Sequence, residues 1–406
     1  MQTTDITKHI ELLDSVLGIA ARQSDKARRL PSALRIAEKL EPVGGKEIPV
    51  YPSSYAGASD RDPTQYDLNG IEEGPEMTVR LKKGTRTIRT VARAAYCVID
   101  SYQSQANRME EAFVDERFNA LIPQIQVDVP VPGMQKGKGI ARRFIEVSKI
   151  AHRVADFRIR LTEERGEITQ WLREFSNGNA LPLVSNMPGS VLFGFWNSRD
   201  KELPIKHARL LMSRIDATDV VPFQRNTVYS GMYSNEEIIE VLNIPKPKSE
   251  DRKLSAVGFT NAPGGGLGGV LVKGEIFRTS IYSFTDTARL FCTNKENMID
   301  LEKTNAVRRY MFCLGIIAEA YQREFMDYNL RSGCDLVGIG DVKYDMRGGN
   351  ESYEGIIDLC KNIDAVRLLA SDSMERLGIR SDRRTLTLTV RSMKDEFTST
   401  KEADVF

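Results

Sequence analysis

The stretch CVIDSYQSQANRMEEAF, residues 97–113, sets hydroxyls, amides and one guanidinium beside an apolar stripe. Val91, Ala95, Val98, Ile99, Tyr102, Ala106, Met109 and Phe113 recur at steps of three and four. That period predicts one amphipathic helix over about 90–118, and Pro123 bars its continuation. With Tyr102 at the centre of the buried face and about 100° per residue, Ala106, Met109 and Phe113 fall near it. Ser101, Ser104 and Arg108 fall on the far side, Asn107 joins Gln103 on one flank, and Gln105 lies on the other. The polar groups are either a solvated helix face or a set of contacts for phosphate and sugar oxygens. Solvated faces favour Glu and Lys, which promote helix and pair at i,i+4, whereas Ser and Asn are poorer helix formers.

Two basic runs extend this chemistry. Residues 79–93 hold Arg80, Lys82, Lys83, Arg86, Arg89 and Arg93 without an acid. They lead toward the N-terminal end of the predicted helix, where the dipole favours anions. Residues 135–153 hold Lys136, Lys138, Arg142, Arg143, Lys149 and Arg153 against Glu146 alone, with His152 among them and Gly133, Gly137 and Gly139 near the start. This segment reads as a solvated basic loop or as one that folds onto a phosphate backbone. Acid is segregated elsewhere, in DLNGIEEGPE and the C-terminal tail.

Catalytic patterns are sparse. His9, His152 and His207 form no H-E-x-x-H or ligand cluster, and no G-x-S-x-G elbow occurs. Asp335 and Asp341 offer a weak pair for a metal, whereas a nuclease needs several convergent carboxylates. PGGGLGG at 263–269 lacks the phosphate-loop arrangement, because Lys273 comes too late and no Ser or Thr follows it. A following strand also argues against a dinucleotide fold. A hinge or a close backbone approach fits better. The expectation is a protein with no catalytic residue, metal or cofactor.

The elements that must position these residues alternate irregularly. Residues 1–30 read as helical, SALRIAEKLEPVGG as a short helix or first strand, and YPSSYAGASDRDPTQYDLNG as loop. QIQVDVPVPG reads as a strand and ARRFIEVSKIAHRVADFRIRL as a second helix. GSVLFGFWNS and ARLLMSRIDATDVV read as strands, residues 222–253 as loop around a short helix, and APGGGLGG as a flexible stop. After the strand-like VLVKGEIFRTSIYSF come an apolar helix, TNAVRRYMFCLGIIAEAYQREFM, the strand CDLVGIGDVKY, one helix over about 354–377, and the strand RTLTLTVRS. Strands and helices without regular βαβ alternation give an α+β fold.

The chain has 406 residues, 41% hydrophobic and 28% charged, which suits one large core with insertions or two domains. No apolar run of about 18 residues is present to span a membrane, and no secretory signal is visible at the N-terminus. Five scattered cysteines suit a reducing cytoplasm. A net charge of +1 means that nucleic-acid binding must rest on local charge.

DSYQSQANRMEEAF, AHRVADFRIR, PGSVLFGFWNS with HARLLMSRIDATDV, LSAVGFTNAPGGGLGGVLVKGE and LRSGCDLVGIGDV follow one another in the order found in the backbone subunit of type I-G (formerly I-U) CRISPR Cascade surveillance complexes. The chain resembles that subunit, of the Cas-seven group of the RAMP superfamily, over most of residues 30–345. The resemblance implies an RRM-like (ferredoxin-like) palm over 1–345, with a finger-like insertion at 120–182 and a thumb-like one at 222–262. Residues 346–406 would complete or flank the palm. It implies a non-catalytic antiviral-defence subunit in the cytoplasm, whose copies line up along CRISPR RNA in a filament with other Cascade subunits and display the guide for pairing with target DNA. Ser101, Ser104, Gln105, Asn107 and Arg108 carry over as RNA contacts because they lie inside the matching motif. Lys136, Lys138, Arg142, Arg143, His152 and Arg153 join them on charge. The competing expectation is a metal-dependent endoribonuclease of the same superfamily, built on Asp335 and Asp341 or on His152 as base.

Overall fold

The computed structural model describes residues 3–23, 29–56, 65–81, 84–130, 142–150, 152–198, 203–229, 237, 240–241, 262–389 and 391–392. The ambiguous SALRIAEKLEP is a strand, β1 (Pro31–Pro42), with Leu34, Ile36, Glu38 and Leu40 alternating into the interior. Two-residue strands β2 (Ser54–Tyr55) and β3 (Gln65–Tyr66) pair with each other, and β4 (Leu68–Leu81) and β5 (Gly84–Asp100) make a long hairpin. Then come β6 (Gln124–Pro130), β7 (Arg142–Glu146), the short pair β8 (Phe195–Trp196) and β9 (Lys206–His207), and β10 (Leu211–Tyr229). β11 (Ala262–Val272), β12 (Ile276–Ser283), β13 (Tyr328–Arg331), β14 (Cys334–Gly348) and β15 (Arg383–Thr387) complete the strands.

The main sheet runs β13-β14-β1-β12-β10-β5-β4, with β11 added along β10, and its pairings are antiparallel. Its centre is β14-β1-β12-β10. Between β1 and β10 the chain forms the helix Tyr102–Glu110, and between β12 and β14 the helix Leu301–Tyr321. This is the β-α-β-β-α-β arrangement, in which the fourth strand lies outside the first and the third lies between the first and second. Both helices cover the same sheet face: Gln105 meets Ser213 of β10, and Glu319 meets Arg278 and Ser280 of β12. The α+β expectation holds.

Leu301–Tyr321 is the hub of the core, buried without a break from Ala306 to Tyr321. Asp300 caps it by accepting from the Lys303 amide at 3.0 Å. Gly315 lets it sit directly on β12, since a Cβ there would lie 2.7 Å from the Tyr282 ring. Even its two arginines point inward: Arg308 donates to the carbonyls of Leu17, Leu290 and Ala288, and Arg309 pairs with Asp14 at 2.7 Å.

Several sequence expectations are corrected. The helix expected over 90–118 begins only after Ser101, because β5 continues to Asp100. Val91, Ala95, Val98 and Ile99 satisfy a helical period, but tertiary pairing with β4 on one edge and β10 on the other fixes them as strand. Ser101 then caps the helix, its Oγ accepting from the Ser104 amide at 3.3 Å. Within the helix, Ala106, Met109 and, just beyond it, Phe113 are buried as expected, while Tyr102 is only half-buried.

The second helix expected from ARRFIEVSKIAHRVADFRIRL is instead β7, two 3₁₀ turns (Val147–Lys149 and Arg153–Ala155) and the short helix Phe157–Arg160. β7 is held by pairing with β6. The first half of GSVLFGFWNS is the helix Pro188–Phe193, with Pro188 at its favoured start. The glycine run at 263–269 is not a flexible stop but part of β11, paired along β10. A Cβ at Gly268 would lie 2.9 Å from the Phe223 carbonyl oxygen, so glycine permits a close approach within this chain. The helix over 354–377 is two, Glu354–Lys361 and Ile363–Leu377, split at Asn362, which caps the second. The last strand, β15, pairs in parallel with β6, so β15, β6 and β7 form a separate sheet. Of the thumb-like segment 222–262, residues 230–236, 238–239 and 242–261 lie outside the described residues.

Candidate nucleic-acid interface

The turn from β5 into the helix Tyr102–Glu110 is organised by Asp100, which is fully buried. Its carboxylate accepts from Gln105 Nε2 at 2.8 Å, from Arg108 Nε at 3.2 Å and from Arg331 Nη2. Arg108 also donates to the Leu330 carbonyl at 2.5 Å. Arg331 reaches the carbonyls of Tyr51 and Ile99 and the Ser53 hydroxyl. Two guanidiniums therefore share one buried carboxylate, and each keeps 26% of its side chain exposed. Charge-assisted bonds of this kind fix the plane of each guanidinium. The two motifs DSYQSQANRMEEAF and LRSGCDLV, far apart in sequence, meet here through Asp100 and Arg331.

Gln105 continues the network inward. Its Oε1 accepts from Ser213 Oγ at 3.3 Å and from Arg278 Nε at 3.2 Å. Arg278, 1% exposed, pairs with Glu319 at 2.8 Å, and Arg323 closes on the same carboxylate. Burial opposes charge on Glu319, but Arg323 and Arg278 hold its carboxyl below the usual range. At the far end the Tyr328 hydroxyl donates to Glu38, whose carboxyl burial raises.

The predicted stripe is thus divided. Gln105, at 0% exposure, belongs to the interior, which corrects its place on an exposed flank. Ser101 acts as the helix cap. Ser104 is half-buried and Asn107 exposed, beside Arg108. In the second group, Arg153 is 6% exposed and grips Glu110 through two bonds of 2.7 Å, so its guanidinium is turned inward rather than displayed. Burial pushes the Glu110 carboxyl up to about 7 despite Arg153. Arg142 binds Asp128 at 2.6 Å and the Leu388 carbonyl at 2.9 Å, tying β7 to the end of β15. Arg143 and His152 are exposed. Lys136 and Lys138 lie outside the described residues.

The basic run 79–93 does not feed the helix. It spans the turn of the β4–β5 hairpin, and β4 brings the acidic segment opposite it. Arg89 pairs with Glu73 and Glu76, Arg93 faces Glu72 across the ladder, and Arg93 binds Asp219 of β10 at 2.5 Å. At Arg89 and Arg93, charges segregated in the sequence are brought together in space.

Asp335 and Asp341 are both exposed on β14. They are six residues apart on one strand, with a bulge between Ile339 and Lys343, and no described residue around them brings the two together on one metal. Among the described residues no group of three or more His, Cys, Asp or Glu side chains could hold a metal ion. Sequence reasoning missed Asp100, Arg331, Arg278 and Glu319. The available signal was an isolated Asp and an isolated Arg inside the two motifs that carry the family resemblance.

Residues 34–222 match the family described as CRISPR-associated protein GSU0053. The matched stretch is a little under half of the chain and runs from Leu34 in β1 through the Asp100 turn and the polar helix into β10. No curated protein matches the chain. No helix among the described residues is long and apolar enough to cross a membrane.

Proposed function

We propose that this chain is the non-catalytic, guide-RNA-binding backbone subunit of a type I-G Cascade complex. Copies of it would line up along CRISPR RNA, beside other subunits, and present the guide to target DNA. The observation that carries this reading is the pair Arg108 and Arg331, clamped on buried Asp100 and each partly exposed, beside Ser104 and Asn107. Fixed guanidiniums and short polar groups suit phosphate and sugar oxygens, and they need read no base, since guide pairing supplies sequence recognition. The β-α-β-β-α-β centre supports an RRM-like palm. The long β4–β5 and β10–β11 hairpins supply inserted arms.

The test is copurification with and without coexpressed CRISPR RNA, followed by size exclusion with light scattering. A large RNA-containing species that collapses toward monomer on ribonuclease treatment is expected. A species that never carries RNA overturns the reading. Asn107→Ala with Ser104→Ala is expected to weaken RNA binding without loss of helical signal. RNA that stays intact on long incubation with divalent metal separates this function from a ribonuclease.

A further inference from the structure

Two large aromatic side chains stand out of the surface on adjoining elements. Trp196 in β8 is 64% exposed, and Phe157, which opens the short helix after the turn Arg153–Ala155, is 61% exposed. β8 packs against that turn. Each ring carries a cation over its face: Lys206 Nζ lies 5.4 Å from the Trp196 ring centre, and the Arg158 guanidinium 5.5 Å from that of Phe157. His152, also exposed, precedes the turn.

A ring that serves the fold is normally buried, as is Trp171, the other tryptophan of the two in this chain, at 6% exposure. Neither ring is part of the core, and each keeps a cation at its face. They suit a ligand with flat apolar faces and regularly spaced negative charge. Unpaired nucleobases on a phosphate chain have that form, and stacking on aromatic rings inside a positive groove is how single strands are held.

We infer that Trp196 and Phe157 form a base-stacking platform for single-stranded RNA, with Lys206 and Arg158 meeting the adjoining phosphates. The inference rests on the RNA-binding reading but uses none of the residues around Asp100. Its test is tryptophan emission of the full chain titrated with single-stranded RNA, alongside anisotropy of the same RNA carrying a dye. RNA is expected to quench Trp196, and an abasic strand of equal charge is expected to bind without quenching. Trp196→Ala is expected to lose the quenching and bind RNA about tenfold more weakly. Phe157→Ala should weaken binding in the same direction. Both variants should keep the parent Tm, because both side chains are exposed. RNA bound with no quenching, or equal quenching by the abasic strand, overturns the platform and leaves the RNA reading standing. Quenching that follows protein concentration without RNA gives the surface to a second copy instead. A chain that binds no RNA by either readout overturns both.

Discussion

The β4–β5 hairpin and the interior beneath the Tyr102–Glu110 helix are built from the same charged residues and use them in opposite ways. On the hairpin, Arg89 and Glu73 are each more than 60% exposed. Under the helix, Arg278 and Glu319 are 1% and 2% exposed and share a network with Gln105, Ser213 and Arg323. Water screens the first pair, so its strength is small and salt-sensitive. The second pair has given up its water, and each member is held only by the others. Position in the fold, not residue type, decides whether an arginine is a surface ornament of the charge balance or a structural necessity.

Glu319→Ala is the largest expected break in this contrast. It strands Arg278 and Arg323 without their shared carboxylate and should cost about 3–5 kcal/mol in urea unfolding. Replacing Arg278 and Glu319 together by Met should cost less than the single change. Equal or greater loss would mean that shape, not charge, governs the site. Met109→Ala gives an apolar benchmark on the helix itself, about 2–5 kcal/mol for a fully buried side chain.

Glu110 adds a pH test. Its folded carboxyl is raised from 4.5 to about 7 by burial, so the folded state keeps a proton that the unfolded state releases. Stability should therefore fall as pH rises through that window. Glu110→Gln should flatten that slope in thermal melts taken across the window, and an unchanged slope would assign it to other groups. The smallest effect is expected from Arg89→Ala on the hairpin, within roughly 0.5 kcal/mol and shrinking further in high salt.

Much of the architecture was legible where one signal dominated. The strongly apolar stretch TNAVRRYMFCLGIIAEAYQREFM read as a helix, and ARLLMSRIDATDVV and CDLVGIGDVKY read as strands, and each holds that form over most of its length. Residues 90–100 misled because Val91, Ala95, Val98 and Ile99 fit the helical period, and only pairing with the neighbouring strands fixes them as strand. The candidate site was half legible. Hydroxyls and guanidiniums on one helix were visible, but Gln105 and Arg153 could not be told from their exposed neighbours. Their partners, Asp100, Arg278 and Glu110, are brought to them by the fold. Arg89 and Arg93 meet acids on β4 and β10, and a linear reading does not show a fold bringing those strands together.

The parallel pairing of β15 with β6 has a consequence for how the chain acquires its fold. Residues 124–128 find their partners at 383–387, so β6 and β7 must wait with one edge open until residues 383–387 have left the ribosome. Contacts of such sequence separation slow folding, and an unpaired strand edge invites association with other chains. A nascent chain halted before β15 would hold its central helix and most of the large sheet, yet expose the β6 edge. Synthesis of this chain therefore passes through an aggregation-prone interval that closes only with β15.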